Sequence, residues 1–385
     1  MADKTSHIAL VTAYYPPHLG GVERFTENLA DALAAKGNLI TVITTTPGYE
    51  DALSGSERIH VVSVPACSVM GDRFPLLSLT PTFFRRKKVL EKIKFDSVVI
   101  NTRYYPICAL GCHIAKVAKA KLVLIDHSSG PISTERSLLG IAMRAYERAM
   151  NVVIRRNKPI VCSVSRRGLE WLKTIDMDGK TVVHNSIDTD KYLELAADVD
   201  WRSKLSIEVD SFVVTYAGRL IAEKGLPKLI EAVDLLNKSG HKVTLVVAGD
   251  GSLADPVRMT HHKWLKYVGR LNQSELSSLL RDSDGFCLPT EYPEGLPTVL
   301  LEAGAQRCAI VVSDCAGARE VVPDDTFGCV LDVVTPEAIA TAIAHFANNP
   351  DAARECGIKV SQHIAKRFSW DFSADSLLAA LESSK

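Results

Sequence analysis

Two glutamates, Glu294 and Glu302, bracket the stretch of the 385-residue chain richest in chemistry: Pro289-Thr290-Glu291-Tyr292-Pro293-Glu294-Gly295-Leu296-Pro297-Thr298-Val299-Leu300-Leu301-Glu302. It reads as an apolar strand, a Pro/Gly loop and a helix start. Pro297 suits the first helical position, where its missing N–H costs nothing. The free N–H groups of Thr298, Val299 and Leu300 then point out of the helix start and suit an anion. Glu294 lies on the loop with Gly295 and Leu296, and Glu302 lies one to two turns inside the helix. Amides for a diphosphate, with a carboxylate on either side for hydroxyl groups, suit a sugar nucleotide. The competing reading is a surface loop with two solvated carboxylates.

Cations stand at a comparable position earlier in the chain. Gly218-Arg219-Leu220-Ile221-Ala222-Glu223-Lys224-Gly225 follows an apolar strand and places a guanidinium fork and an ammonium five residues apart. Both suit a diphosphate. Gly20-Gly21-Val22-Glu23 joins the first strand to the first helix, and the two glycines let the backbone approach a ligand closely. His127 ends the strand Leu122–Asp126, and Arg103 follows the strand Ser97–Asn101, where it is a candidate for holding an anionic acceptor. Gly249-Asp250-Gly251 makes a turn after another strand. A Gly-x-Gly-x-x-Gly fingerprint is absent, which argues against a nicotinamide dehydrogenase.

These residues sit at the ends of strands, and the strands alternate with helices. Ile8–Thr12, Ile40–Thr45, His60–Val64, Ser97–Asn101, Leu122–Asp126 and Ile160–Val164 read as strands in the first half. Val213–Ala217, Thr244–Ala248, Gly285–Leu288 and Ala309–Ser313 read as strands in the second. Val22, Phe25, Leu29 and Leu33 recur at helical spacing, with Gly37 as a stop. The pattern predicts an α/β chain with two parallel sheets covered by helices. The boundary falls near 186–200, after a strand over Val182-Val183-His184-Asn185. Ligands bind such sheets outside the carboxyl ends of the strands, and the cleft between two domains is the default site.

Composition narrows the class. Lys+Arg and Asp+Glu are equal at 45 each, but residues 1–185 hold 25 basic and 16 acidic side chains and the remainder 20 and 29. A basic half and an acidic half suggest different partners. The nine cysteines contain no Cys-x2-Cys pair, so a reducing, cytoplasmic setting without disulfides is expected. Cys108, Cys112 and His113 lie on an apolar helical stretch with no fourth ligand, and core packing is the expected role. No signal peptide or membrane-spanning segment is expected. Phe83-Phe84-Arg85-Arg86-Lys87-Lys88 admits two readings: an anchor on an anionic membrane surface, or a helix with an apolar core face and a solvated basic face.

The Pro-Glu-Gly-Leu-Pro loop and the Glu-x7-Glu spacing of Glu294 and Glu302 resemble the signature of retaining glycosyltransferases of the GT-B fold, family four (glycosyl transferases group 1). Further likeness lies in Gly218-Arg219-Leu220 with Lys224-Gly225, in Gly20-Gly21, in Gly249-Asp250-Gly251, in Ser313 to Glu320 and in Phe368-Ser369-Trp370. In Asn185-Ser186-Ile187-Asp188, Ser186 replaces the usual Gly, and Gly304 and Arg307 depart from the commoner sequence. The resemblance implies two facing Rossmann-like domains with an inter-domain cleft. Residues 1–187 would form the acceptor-side domain and 188–367 the nucleotide-sugar domain, with a C-terminal helix in 368–385 crossing back onto the first. It implies that Glu294 holds the donor sugar and Glu302 the ribose. Arg219 and Lys224 would neutralise the leaving diphosphate, aided by Gly218, Gly249, Asp250 and the Gly295-Leu296-Pro297-Thr298-Val299 turn. His127 would touch the sugar, Gly20 and Gly21 would face the diphosphate, and Glu23 would join Arg103 on the acceptor side.

The expected activity is transfer of a sugar, with retention, from a nucleotide-diphosphate sugar to a hydroxyl acceptor. A polyprenyl- or lipid-linked glycan of cell-envelope polysaccharide or glycolipid synthesis is the expected acceptor. No metal and no cofactor are expected, and nucleic acid is not an expected partner. The alternatives are a sugar-nucleotide epimerase or phosphorylase-like enzyme, and a non-catalytic nucleotide-sugar-binding subunit.

Overall fold

The computed structural model describes residues 5–383 except 19, 49–51, 54–56, 70–73, 134–136, 293, 294, 315 and 316. The chain divides into two compact units, one ending at Asn185 and resuming at Trp370, the other running from Ser186 to Ser369.

The first unit carries strands β1 (His7–Val11), β2 (Leu39–Thr44), β3 (Ala52–Leu53), β4 (Ile59–Ser63), β5 (Ala66–Val69), β6 (Phe74–Leu77), β7 (Ser97–Asn101), β8 (Lys121–Asp126), β9 (Ile160–Ser163) and β10 (Thr181–Val182). Eight of them form one sheet in the order β10-β9-β8-β7-β1-β2-β4-β3, parallel except for β3. β5 and β6 form a separate antiparallel hairpin. Strands buried on both faces need continuous apolar runs, and β1, β7 and β8 supply them. Strand order reverses between β1 and β7, which makes the carboxyl ends of these two strands the crevice of the sheet.

Helix α1 (Gly21–Ala35) buries Phe25, Leu29 and Leu33 on that sheet. Each such side chain contributes about 1.5–3 kcal/mol of apolar burial. Gly37, at φ +88°, ends the helix in the left-handed conformation that favours glycine. Further helices of the unit are α2 (Pro81–Leu90), α3 (Ile107–Ala118) and α4 (Leu138–Arg156). Cys108 and Cys112 are core residues of α3, as their apolar surroundings predicted, and burial pushes the Cys112 thiol up to about 11. The chain returns to this unit with its last helix, Trp370–Ser383. That helix packs Ala374, Leu377 and Ala380 into the core, and Lys36 pairs with its Asp371 and Asp375 at 3.3 and 2.8 Å.

The second unit is a six-stranded, all-parallel sheet. Its strands are β11 (Phe212–Ala217), β12 (Val243–Ala248), β13 (Leu265–Gly269), β14 (Gly285–Leu288), β15 (Ala309–Ser313) and β16 (Cys329–Leu331), in the order β13-β12-β11-β14-β15-β16. Its switch point lies between β11 and β14. Gly304 explains one departure from the family's commoner sequence. A Cβ there would lie 2.3 Å from Ile364 Cδ1, so glycine lets helix Pro350–Arg367 pack closely. Ser186 does not take a left-handed backbone, so serine is accommodated where the family has glycine.

Candidate active site

The switch point of the second unit collects most of the expected donor residues. β11 ends at Ala217, and Gly218-Arg219 turn away from the sheet. Tyr216 Oη donates to the Arg219 carbonyl at 3.1 Å, and Leu220 N–H donates to the Asp250 carbonyl at 2.9 Å. The Arg219 turn is thereby tied to the Gly249-Asp250-Gly251 loop after β12. A Cβ on Gly249 would stand 1.9 Å from the Gly218 carbonyl oxygen, so the two loops approach to a distance only glycine allows. Lys224 ends a short 3-10 turn, Ala222–Lys224, and is buried, whereas Arg219 is exposed.

The loop after β14 closes on the same place. Ser313 Oγ donates to the Thr290 carbonyl at 2.5 Å, and Thr290 Oγ1 accepts from Tyr292 N–H at 3.1 Å. Glu291 N–H donates to the Glu223 carbonyl at 2.8 Å, and Glu291 pairs with Lys228 at 2.7 Å. Gly225, at φ +75°, has room for no Cβ, which would lie 2.0 Å from the Pro289 oxygen. The turn bearing Lys224 and the loop bearing Tyr292 are therefore pressed together. The Tyr292 ring gathers both cations: Arg219 Cζ lies 5.5 Å and Lys224 Nζ 5.9 Å from its centroid. Tyr292 carries no signal of its own in the sequence beyond standing two positions before Glu294.

Glu294 lies outside the described residues. Gly295 and Leu296 are buried, and helix Thr298–Ala305 starts one residue later than the sequence suggests. Pro297 is its N-cap, with extended backbone, and its carbonyl accepts from Leu300 N–H at 3.1 Å. The expected trio of free amides is thus reduced to Thr298 and Val299. Leu300 is consumed because the helix opens with a tighter, i to i+3 turn. Glu302 is buried on this helix.

In the first unit, His127 follows β8 and is half-buried. Phe25 meets it edge-on at 4.5 Å. Asn101 Nδ2 donates to Thr26 Oγ1 at 3.2 Å, so its Oδ1 accepts from His127 Nε2 at 3.3 Å. That assigns the proton to Nε2 and leaves Nδ1 as the acceptor. Burial lowers the His127 pKa to about 3, so the ring is neutral at neutral pH.

The glycine loop is built around Glu23. Its carboxylate folds back over its own helix start, where a Cβ on Gly20 would lie 2.1 Å from Oε2, and it pairs with His18 at 3.1 Å. A Cβ on Gly21 would meet open space, so the two glycines serve different ends: Gly20 makes room for Glu23, and Gly21 leaves the helix start uncovered.

Arg103 does not fit an acceptor contact. Its side chain has no exposed surface. It pairs with Asp126 and, at 2.7 Å, with Glu147. It also donates to Ser128 Oγ at 2.7 Å and to the Gly130 carbonyl at 3.0 Å. Its Cζ lies over the rings of Tyr104 and Trp171, 4.3 and 4.0 Å from their centroids. A guanidinium with these counter-charges and stacking partners is a structural ion pair that holds the loop after His127.

The family model described as Glycosyltransferase Family 4 matches residues 19–191, and the one described as Glycosyl transferases group 1 matches residues 198–363. An uncharacterized glycosyltransferase of Methanocaldococcus jannaschii is 24% identical over 94% of this chain and 95% of its own. The phosphatidyl-myo-inositol mannosyltransferase of Mycobacterium tuberculosis is 24% identical over 97% of this chain and 96% of its own. Among solved structures, Anabaena HepE in complex with UDP superposes with a TM-score of 0.75 at 18% identity, covering 98% of this chain and all of that one. With one model on each unit and this fold beneath both, the chain belongs to the family-four, group 1 glycosyltransferases of the GT-B fold.

Proposed function

We propose that this enzyme transfers a sugar, with retention of anomeric configuration, from a nucleotide-diphosphate sugar to a hydroxyl group of a lipid-linked glycan or glycolipid. The observation that carries the reading is the convergence of Arg219 and Lys224 on Tyr292 at the switch point of the second unit. Two cations and the free Thr298 and Val299 amides suit a diphosphate whose charge grows as the sugar departs. Glu302 takes the ribose and Glu294 the sugar. His127, neutral, offers hydrogen bonds without repelling a developing oxocarbenium ion. The acceptor hydroxyl passes its proton to a phosphate oxygen of the leaving group, and no metal takes part.

The names of two similar proteins support the choice of donor and acceptor: HepE is in complex with UDP, and the mycobacterial enzyme is named a phosphatidyl-myo-inositol mannosyltransferase. The proposed location is peripheral, at the cytoplasmic face of a membrane. α2 exposes Phe84 and Val89 beside a run of four cations, Arg85 to Lys88. Among the described residues no helix is long and apolar enough to cross a membrane.

The test is incubation of the full chain with UDP-, GDP- and ADP-sugars, with and without lipid-diphosphate acceptors, following nucleotide release and the anomeric configuration of the product. Glu294→Ala and Lys224→Ala each abolish transfer, and EDTA leaves the rate unchanged. Tight nucleotide binding without turnover would make the chain a binding subunit instead, and an inverted product would overturn retention.

A further inference from the structure

We propose that a cavity at the amino ends of β8 and β9 binds a phosphate-rich anion, independently of the donor site. The cavity, of about 550 Å³, is walled by Lys116, Lys119, Lys121, Arg156 and Lys158, and by no Asp or Glu. It lies at the edge of the first unit's sheet opposite His127. The six residues of β8 separate the two, roughly 20 Å at about 3.3 Å per residue.

A bland account of these cations is that they complement helix carboxyl ends, because α3 and α4 both finish here. Lys121 also donates to the Leu381 carbonyl in the last turn of the C-terminal helix. Each helix end carries about half a negative charge. Three ends supply about −1.5 against five formal positive charges, so an excess of about +3.5 remains. Among the described residues none of the five is ion-paired. The neighbouring pairs use other cations, Arg155 with Asp176 and Lys173 with Asp178. Five like charges around one cavity repel one another, and an anion bearing several charges removes that repulsion. Four ammonium groups and one guanidinium fork match the oxygens of adjacent phosphoryl groups. The same chemistry is offered by a soluble polyphosphate and by the headgroups of anionic lipids.

Lys119 and Lys158 hold left-handed backbone, at φ +54° and +49°. Asparagine tolerates that conformation well, so Lys119→Asn with Lys158→Asn removes two charges with little risk to folding. Tripolyphosphate is titrated calorimetrically at about 0.15 M salt into the unaltered chain, into K119N/K158N, and into R219A/K224A, which lacks the donor-site cations. One tripolyphosphate is expected to bind at a site that survives R219A/K224A, and to weaken about tenfold or more in K119N/K158N. If tripolyphosphate does not bind, but the chain sediments with phosphatidylcholine vesicles containing phosphatidylglycerol and K119N/K158N does not, the site stands with a lipid headgroup as its ligand. The proposal is overturned if neither probe binds, or if K119N/K158N binds both as the unaltered chain does. Loss of binding at the R219A/K224A site would bear on the donor reading alone.

Discussion

Replacing Arg103 tests whether its role is internal. The side chain is fully buried, and its guanidinium joins β8, the loop to Gly130 and α4. Burial alone would lower its pKa, yet Asp126, Tyr104 and Glu147 raise it, so it stays charged. Arg103→Met keeps much of the volume but leaves two buried carboxylates, Asp126 and Glu147, without their cation. Removing one partner of a buried ionic cluster costs about 3–5 kcal/mol, against a typical total of roughly 5–15. For a unit of this size the melting temperature falls by roughly 10 °C. Removing the stranded charges as well, in R103M/D126N/E147Q, restores most of the loss, because a neutral cluster needs no counter-ion. Denaturant unfolding of the three proteins reads both effects. A deficit below about 1 kcal/mol would refute the internal role and return Arg103 to the list of ligand contacts.

Tyr292→Leu removes the ring shared by Arg219 and Lys224. At about 0.5–1 kcal/mol per cation the donor nucleotide should bind roughly tenfold more weakly, while Tyr292→Phe binds normally; equal weakening by both substitutions would exclude the ring. His127 has a folded pKa of about 3, below the ordinary 6.5, so the unfolded chain takes up a proton first and stability is lost as pH falls below 6.5. His127→Asn should flatten that decline by up to about 1 kcal/mol per pH unit, and parallel urea curves for the two proteins from pH 7.5 to 5 would contradict it. Gly225→Ala and Gly240→Ala put the same strain on positive-φ backbone, about 1–2 kcal/mol, but only Gly225 lacks space for a Cβ. Gly240→Ala should therefore lose stability and keep donor affinity, whereas Gly225→Ala separates Lys224 from Tyr292 and loses both, as donor titration and thermal melting would show.

The parts of this molecule that could be read from its sequence are those whose physics is local. A parallel strand buried on both faces is an apolar run whatever surrounds it, so Ser97–Asn101, Gly285–Leu288 and Ala309–Ser313 are recognisable alone. The edge strand β13 is mostly half-buried, β16 has only three residues, and the β5–β6 hairpin contains Pro75 and mostly exposed residues in β5, so no long apolar run marks them. The same division governs the site. Arg219, Lys224 and Glu302 are placed by spacing from a strand end or a helix start. Tyr292 matters because β11 and β14 are neighbours in the sheet though some 70 residues apart in sequence, a relation the loop itself cannot express. Arg103 shows the cost of reading locally: a strand-end arginine looks like an anion ligand until Asp126 and Glu147, 23 and 44 residues further on, are seen to hold it. A lone charge in a sequence window therefore does not reveal its partner. That is why the five cations at the amino ends of β8 and β9, drawn from two separate segments and in no ion pair among the described residues, emerge only once the sheet brings them together.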